Sequence, residues 1–503
     1  MSLDDAVRSS VRSLAAKPAG VLPFYVAGLA VPVVMRVVPV AGLLLAYLSL
    51  QGTGRLEAVR EVLEPAAPIN RNDPGDVDVD DAALEEAVLD LFTPTVIAII
   101  VATVLVSIVV SLAFQAVVGA GRYHAVFAVL QDRPPTRAGV EGVFSHTWTF
   151  LALLVVELLA YLVVVGIPVG WVLVGVFVFD SPLFVVPAFF ALLGAIPLLI
   201  VFRFVLAFAK PAAVVEGVGA APALRHGARH VRSNAFQVLG YAILALGATG
   251  VGNLIGSTFS QAGAATASTL VPLVFVFPFL DLVKTTLYAR DRSVPIAAPD
   301  PPEADPLPRL RRALRRGLAS TWSFTRGHVG AGVASAALFV AGIGLGLWAG
   351  QQVDDLVVAS IESRIEGMNP VIAFVHFATN NWTVAAGQSL AGLVLGIPTA
   401  VSLAYNGAVI GVAYQLETDP AALQAFLVPH GVIELPALVI SGALGLHLGG
   451  IGLGYVRGTI DRDGLAAAID HAFEILVGLA VLFVLAGLIE GFVSPYYWQI
   501  LGI

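Results

Sequence analysis

The sequence contains no cysteine, which excludes disulfides, thiolate catalysis and cysteine-ligated metals. It also has little charge. Only 12% of its 503 residues are Asp, Glu, Lys or Arg, where a water-soluble chain carries roughly a quarter. Polar side chains are too few to cover a body of this size in water. Lysine is scarce, occurring only at positions 17, 210 and 284, so arginine supplies nearly all the positive charge. The signatures of soluble chemistry are missing too: there is no Walker-type phosphate loop, no Gly-rich dinucleotide turn after a strand and no nucleophile elbow. The first twenty residues lack the apolar run and cleavage site of a secretory signal, so membrane entry is expected through the first spanning helix.

Long apolar runs are abundant. Apolar residues make up 58% of the chain and the mean hydropathy is +0.88. About 20 apolar residues rising about 1.5 Å each cross a hydrocarbon core of roughly 30 Å, and lipid obliges the backbone to satisfy itself, so these runs read as helices. The ten-residue alternation of a membrane barrel is absent. The expected fold is all-α and polytopic, with two membrane modules and about eleven spans. Residues 1–290 form a six-span module (21–50, 94–118, 149–179, 182–209, 235–256 and 268–289). Its first span carries Pro32 and Pro39, and its acidic loop covers 51–92. Residues 291–308, rich in Pro and acid, form a linker that can neither pack a core nor enter lipid. Residues 309–503 form a five-span module (329–350, 380–397, 399–416, 430–452 and 471–492), with an amphipathic acidic segment at 351–378 that includes Asp354, Asp355, Glu362 and Glu366.

Orientation follows from arginine and lysine beside the spans. Arg8, Arg12 and Lys17, then Arg122, Arg133 and Arg137, then Lys210, Arg225, Arg229 and Arg232, then Arg290 and Arg292 fall on one side, the cytoplasm. The N-terminus is expected inside and the C-terminus outside, in a multi-pass protein of the cell membrane. Residues 3–17 and the Arg-rich stretch opening at 309 read as amphipathic helices on the cytoplasmic surface. Net charge is −8 and 71–90 is dense in acid, a composition suggestive of a halophilic archaeon.

Three blocks of the second module then stand out: FATNNWTVAAGQSLAGLVLGIPTAVSLAYNGAVIGVAY (377–414), PHGVIELPALVISGALGLHLG (429–449) and AGLIEGFVSP (486–495). In this order they resemble the stage II sporulation protein M family over about 310–495. The resemblance implies a five-span membrane protein without known enzymatic activity, one that in spore formers anchors and recruits peptidoglycan-degrading partners during engulfment. The first module resembles the uncharacterised membrane domain of proteins related to glycerophosphodiester phosphodiesterases, without that enzyme's catalytic segment.

Ionisable groups at membrane depth are costly and point to function by default. His430 and Glu434, four apart on one helical face, Glu490, and Asn380 with Asn381 are expected at one depth in the outer leaflet. Three readings compete for this cluster: a hydrogen-bonded knot that fixes helix packing, a pocket open to the outside, and a metal site of His430, Glu434 and Glu490. Asn406 and Gly407 read as helix packing, and Gly342, Gly346 and Gly350 as a packing ridge first and a dimerisation face second. Glu157 and Arg203 are expected to pair across the hairpin at 180–182, and Asp281 and Lys284, on one helical face, to pair or snorkel.

The functional expectation is a non-enzymatic scaffold or anchor for an envelope-associated complex. It needs no cofactor and does not bind nucleic acid; its partners are the lipid bilayer and a protein in the membrane or on its outer face. The alternative is a permease or flippase with a path between the two modules. The remote alternative is an intramembrane metal-dependent hydrolase.

Overall fold

The computed structural model describes residues 3–63, 69–70, 81–261, 263–297, 305–361, 367 and 369–501. The acidic stretch 71–80, Glu362, Glu366 and linker residues 298–304 lie outside the described residues. Helices before the linker are α1 (Leu3–Ala16), α2 (Pro18–Val26), α3 (Ala30–Gln51), α4 (Arg55–Leu63), α5 (Asp81–Asp90), α6 (Pro94–Leu130), α7 (Pro135–Tyr161), α8 (Ile167–Phe177), α9 (Val185–Val215), α10 (Ala220–Ser233), α11 (Ala235–Gln261), α12 (Ala265–Val271) and α13 (Phe277–Asp291). After it come α14 (Pro306–Gly327), α15 (Val329–Gly350), α16 (Pro370–Ala391), α17 (Ile397–Gln415), α18 (Pro420–Val456), α19 (Arg462–Phe492) and α20 (Ser494–Leu501). Two short strands, β1 (Ile69–Asn70) and β2 (Val357–Val358), pair in parallel.

Among the described residues, ten stretches are long and apolar enough to cross a membrane, six before the linker and four after it. They keep large apolar side chains on the outside: Leu43 is 71% exposed, Val109 66% and Phe236 92%. Such surface suits hydrocarbon as its solvent. The chain is an all-α polytopic integral membrane protein. The eleventh expected span, in α16, has no Asp, Glu, Lys or Arg but falls short in apolarity, because Asn380, Asn381, Gln388 and Ser389 interrupt it.

Three helices after the linker start earlier than hydropathy indicates, and each start has a cap. Asn369 accepts hydrogen bonds from the Val371 and Ile372 amides ahead of Pro370. Asp419 does the same for Ala421 and Ala422 ahead of Pro420. Asp461 accepts from Gly464, so α19 begins at Arg462. These side chains satisfy donors that the first turn leaves free. Asn380 and His430 therefore sit about ten residues inside their helices, not at the helix starts.

Backbone contacts gather the chain into two compact units, each assembled from separate segments: 1–25, 112–252 and 272–303 in one, and 26–111, 253–271 and 304–503 in the other. The core of the first unit contains Tyr123, Phe150, Phe208, Tyr241 and Tyr288. Here α1 packs on α13. Its buried face is Ala6, Ser9, Ser10 and Ser13, with Leu3, Val7 and Leu14 partly buried against the core, while Val11 stays half exposed.

In the second unit, α15 lies along α17 at backbone contact. A Cβ on Gly342 or Gly346 would collide with the Ala404 or Ala408 carbonyl, and one on Gly407 or Gly411 with that of Phe339 or Ile343. The glycine ridge is thus covered by the chain's own helix. The turn after α16 passes through Leu395 and Gly396, both with positive φ (57° and 75°), and glycine meets the second at no steric cost. This turn brings Gly396 against Gly449 of α18, where a Cβ on Gly449 would stand 2.6 Å from the Gly396 nitrogen. The first spanning helix joins this unit, its Leu29 carbonyl 2.6 Å from a Cβ built on Gly387.

Candidate functional site

The second unit encloses a cavity of about 310 Å³ lined by α16, α17, α18 and α19. Most of its wall is apolar (Val384, Val409, Ile410, Leu423, Phe426, Leu438 and Phe483), and its polar groups are Asn380, Asn381, His376, Asn406, His430, Glu434 and Glu490. The five residues assigned one depth from the sequence all line it. Asn406, read as deeper packing, lines it as well, while its Nδ2 donates to the Ser402 carbonyl one turn back (2.7 Å).

His430 and Glu490 are buried, 3% and 6% exposed. His430 Nε2 lies 3.7 Å from Glu490 Oε1, and Nδ1 is 2.9 Å from Ser494 Oγ. Glu434, one turn beyond His430, is within hydrogen-bonding reach of Glu490 and Asn381, and its Oε2 is buried without a hydrogen-bond partner. Asn380 donates to Asn381 Oδ1 (3.2 Å) and accepts from Thr266 of α12 (3.4 Å). One donor atom each from His430, Glu434 and Glu490 lies within 4.8 Å of the other two.

Beside the cavity is a second polar knot. Gln388 is fully buried and donates to the Leu438 carbonyl (3.1 Å) and to Ser441 Oγ, while Ser402 donates to its Oε1 (3.3 Å). Sequence reasoning passed over Gln388, Ser494 and His376. A polar residue in a helix at membrane depth was the available signal for the first and last. Ser494, beyond a helix end, gave none.

In the first unit the expected Glu157–Arg203 pair is absent. Glu157 lies 3.7 Å from Lys210, and Arg203 donates to Tyr161 Oη. Because α7 and α9 are antiparallel, the hairpin register sets Tyr161 opposite Arg203, and Glu157, one turn further on, meets Lys210. Asp281 and Lys284 do pair (2.6 Å), within a larger buried knot. Arg122 lies 3.2 Å from Asp281 Oδ2, and Tyr25 and Tyr123 donate to the same carboxylate at 2.7 and 3.1 Å. At the membrane-flanking end, His230 Nδ1 lies 2.9 Å from Asp291 Oδ2. Burial pushes the His230 pKa down, against the upward pull of that carboxylate.

Parts of the sequence match known families. Residues 335–495 match the family model of stage II sporulation protein M. That region contains α16, α17, α18 and α19 up to Pro495, so the whole polar lining of the cavity belongs to the sporulation-protein-M segment. Residues 132–289 match a second family model, a domain of unknown function (DUF7847). An uncharacterized protein of Methanocaldococcus jannaschii, MJ0793, is 25% identical over 126 residues, which is 24% of this chain and 71% of that protein. No solved structure matches the chain.

Proposed function

We propose that the protein is a non-enzymatic membrane scaffold that holds a basic envelope-associated partner on an acidic platform outside the membrane, with the N-terminus cytoplasmic. The observation supporting this is the union of two segments far apart in sequence into one surface flanking the helices of the second unit. β1 pairs with β2, Arg60 reaches Asp355 at 2.7 Å, and Arg55 ties α4 to α5 through Asp90 at 3.1 Å. Ala359 exchanges backbone hydrogen bonds with Leu416 and Thr418, and Gln415 donates to Asp354 at 2.9 Å. Glu57, Glu61, Asp81, Glu85, Glu86 and Asp90 project exposed from α4 and α5. Complementary charge steers a basic partner to such a surface and sets its register. The anchoring role implied by the stage II sporulation protein M resemblance agrees with this reading.

The test is purification of the full chain from its native membranes in mild detergent. A protein recovered at near-equal amount, and lost when Glu57, Glu61, Glu85 and Glu86 are changed to Lys, supports the scaffold. Recovery of this chain with lipid alone sinks it, and turns the same preparation to flux measurements in liposomes.

A further inference from the structure

The cavity brings one imidazole and two carboxyl groups together. Glu434 and Glu490 lie within hydrogen-bonding reach of one another beneath a mostly apolar wall, and no Lys or Arg is among the described residues lining it. Buried carboxylates at membrane depth need a positive partner. In the His430 tautomer whose Nδ1–H donates to Ser494 Oγ (2.9 Å), Nε2 keeps its lone pair, 3.7 Å from Glu490 Oε1. Glu434 Oε2, buried and without a hydrogen-bond partner, adds a third acceptor. Three acceptors converge, and what satisfies three acceptors together is a cation.

We infer that His430, Glu434 and Glu490 bind one divalent transition-metal ion of the zinc, manganese or iron(II) class. The donor set is one imidazole nitrogen and two carboxylates. Nitrogen favours the transition series over calcium and magnesium, and the two carboxylates balance the dipositive charge. Distances allow it. Donors bonded at about 2.0–2.2 Å to a tetrahedral ion stand about 3.3 Å apart, so a triangle with sides of up to 4.8 Å closes when each donor moves inward by less than about 1 Å. The cavity supplies the room for that rotation. Ser494 acts as the outer partner that fixes the ring tautomer, as ligating histidines ordinarily require. Three protein ligands leave the remaining position open to the cavity, where the Asn381 amide or water completes the shell. Gly431 also lines the cavity and adds no side chain to it.

The site makes no claim about catalysis and does not depend on the scaffold reading. Its test uses the full chain, purified in mild detergent on an affinity tag without histidine. Elemental analysis should find close to one equivalent of metal per chain, removed by a chelator and restored by zinc chloride, with the thermal midpoint falling and recovering in step. Replacing zinc by cobalt should give visible absorption of a nitrogen- and oxygen-ligated ion. Glu434→Gln and Glu490→Gln should each weaken zinc retention at least tenfold, while Asp305→Asn, which alters an exposed carboxylate outside the cavity, leaves it unchanged. Retention of the metal by a chain carrying His430→Asn, Glu434→Gln and Glu490→Gln together identifies an adventitious ion only and overturns the proposal. A wild-type chain with no metal, no zinc-dependent thermal shift and no cobalt spectrum overturns it equally and leaves the carboxyls sharing a proton. Should a variant fail to fold, the wild-type cobalt spectrum and zinc shift decide.

Discussion

Gly317 and Gly478 meet backbone to backbone where α14 crosses α19: a Cβ on Gly317 would stand 2.7 Å from the Gly478 nitrogen and 3.0 Å from the Glu474 carbonyl oxygen. Thr321 closes the crossing by donating to the Ile475 carbonyl at 3.1 Å. The Arg-rich helix expected to rest on headgroups is therefore docked on its own unit by one face, with Arg311, Arg312 and Arg315 left exposed.

Gly317→Val should destabilise the chain by about 1–3 kcal/mol, the usual cost of forcing extra methyl groups into a closed contact. Gly330→Ala, where a Cβ meets nothing within 4 Å, is the control and should not lower stability. Thermal unfolding in detergent, with both variants beside the wild type, measures the difference. Equal midpoints would show that the crossing opens freely.

Asp281→Asn should be far more damaging. The change leaves Lys284 buried and Arg122 partly buried with no countercharge, a loss of about 3–5 kcal/mol for a broken buried pair. Adding Lys284→Met to the same chain should recover part of the loss, because one of the two stranded cations is gone. A double variant no better than the single one would mean that the tyrosine hydrogen bonds, and not charge balance, hold the knot.

Gln388→Leu keeps the volume but removes the donors to Leu438 and Ser441 and the acceptor for Ser402. Losing those buried hydrogen bonds should cost about 1–3 kcal/mol. The same thermal measurement reads it, with Gln424→Leu, at the exposed Gln424, as reference.

His230 sets a pH dependence. Its folded pKa lies below the unfolded value of about 6.5. Below that value the unfolded chain takes up a proton that the folded chain resists, so this contribution to stability is complete above about pH 6.5 and is lost as pH falls. The groups around the ring are Asp291, Arg292, Phe208 and Tyr288. Thermal midpoints taken between pH 7.5 and 5.5 should fall, and His230→Gln should flatten the slope. Parallel slopes would remove His230 from the account.

How much of this was legible depends on which physical signal each feature leaves in a sequence. The long helices are legible because hydrocarbon demands uninterrupted apolar residues, and all six stretches before the linker were found that way. Their starts after the linker were not, because Asn369, Asp419 and Asp461 lie in moderately polar sequence where a cap changes no average. The grouping of Asn380, Asn381, His430, Glu434 and Glu490 came from position along each helix, a crude but real coordinate at membrane depth. Asn406 was assigned a different depth because α16 and α18 begin about ten residues before their apolar runs, which sets Asn380 and His430 at mid-helix beside it. The partner of Glu157 was missed for a related reason. Pairing across a hairpin depends on register, and a shift of about two turns exchanges Arg203 for Lys210.

The two-residue sheet has a consequence in time. Ile69 pairs with Val357 and Asn70 with Val358, so the first strand leaves the ribosome long before its partner is made. Everything from 71 to 356 must be synthesised and inserted between the two, and contacts of such sequence separation form late. The surface built on that pairing is therefore absent from every unfinished chain, and its appearance signals that the protein has been made through residue 358 and has closed on itself.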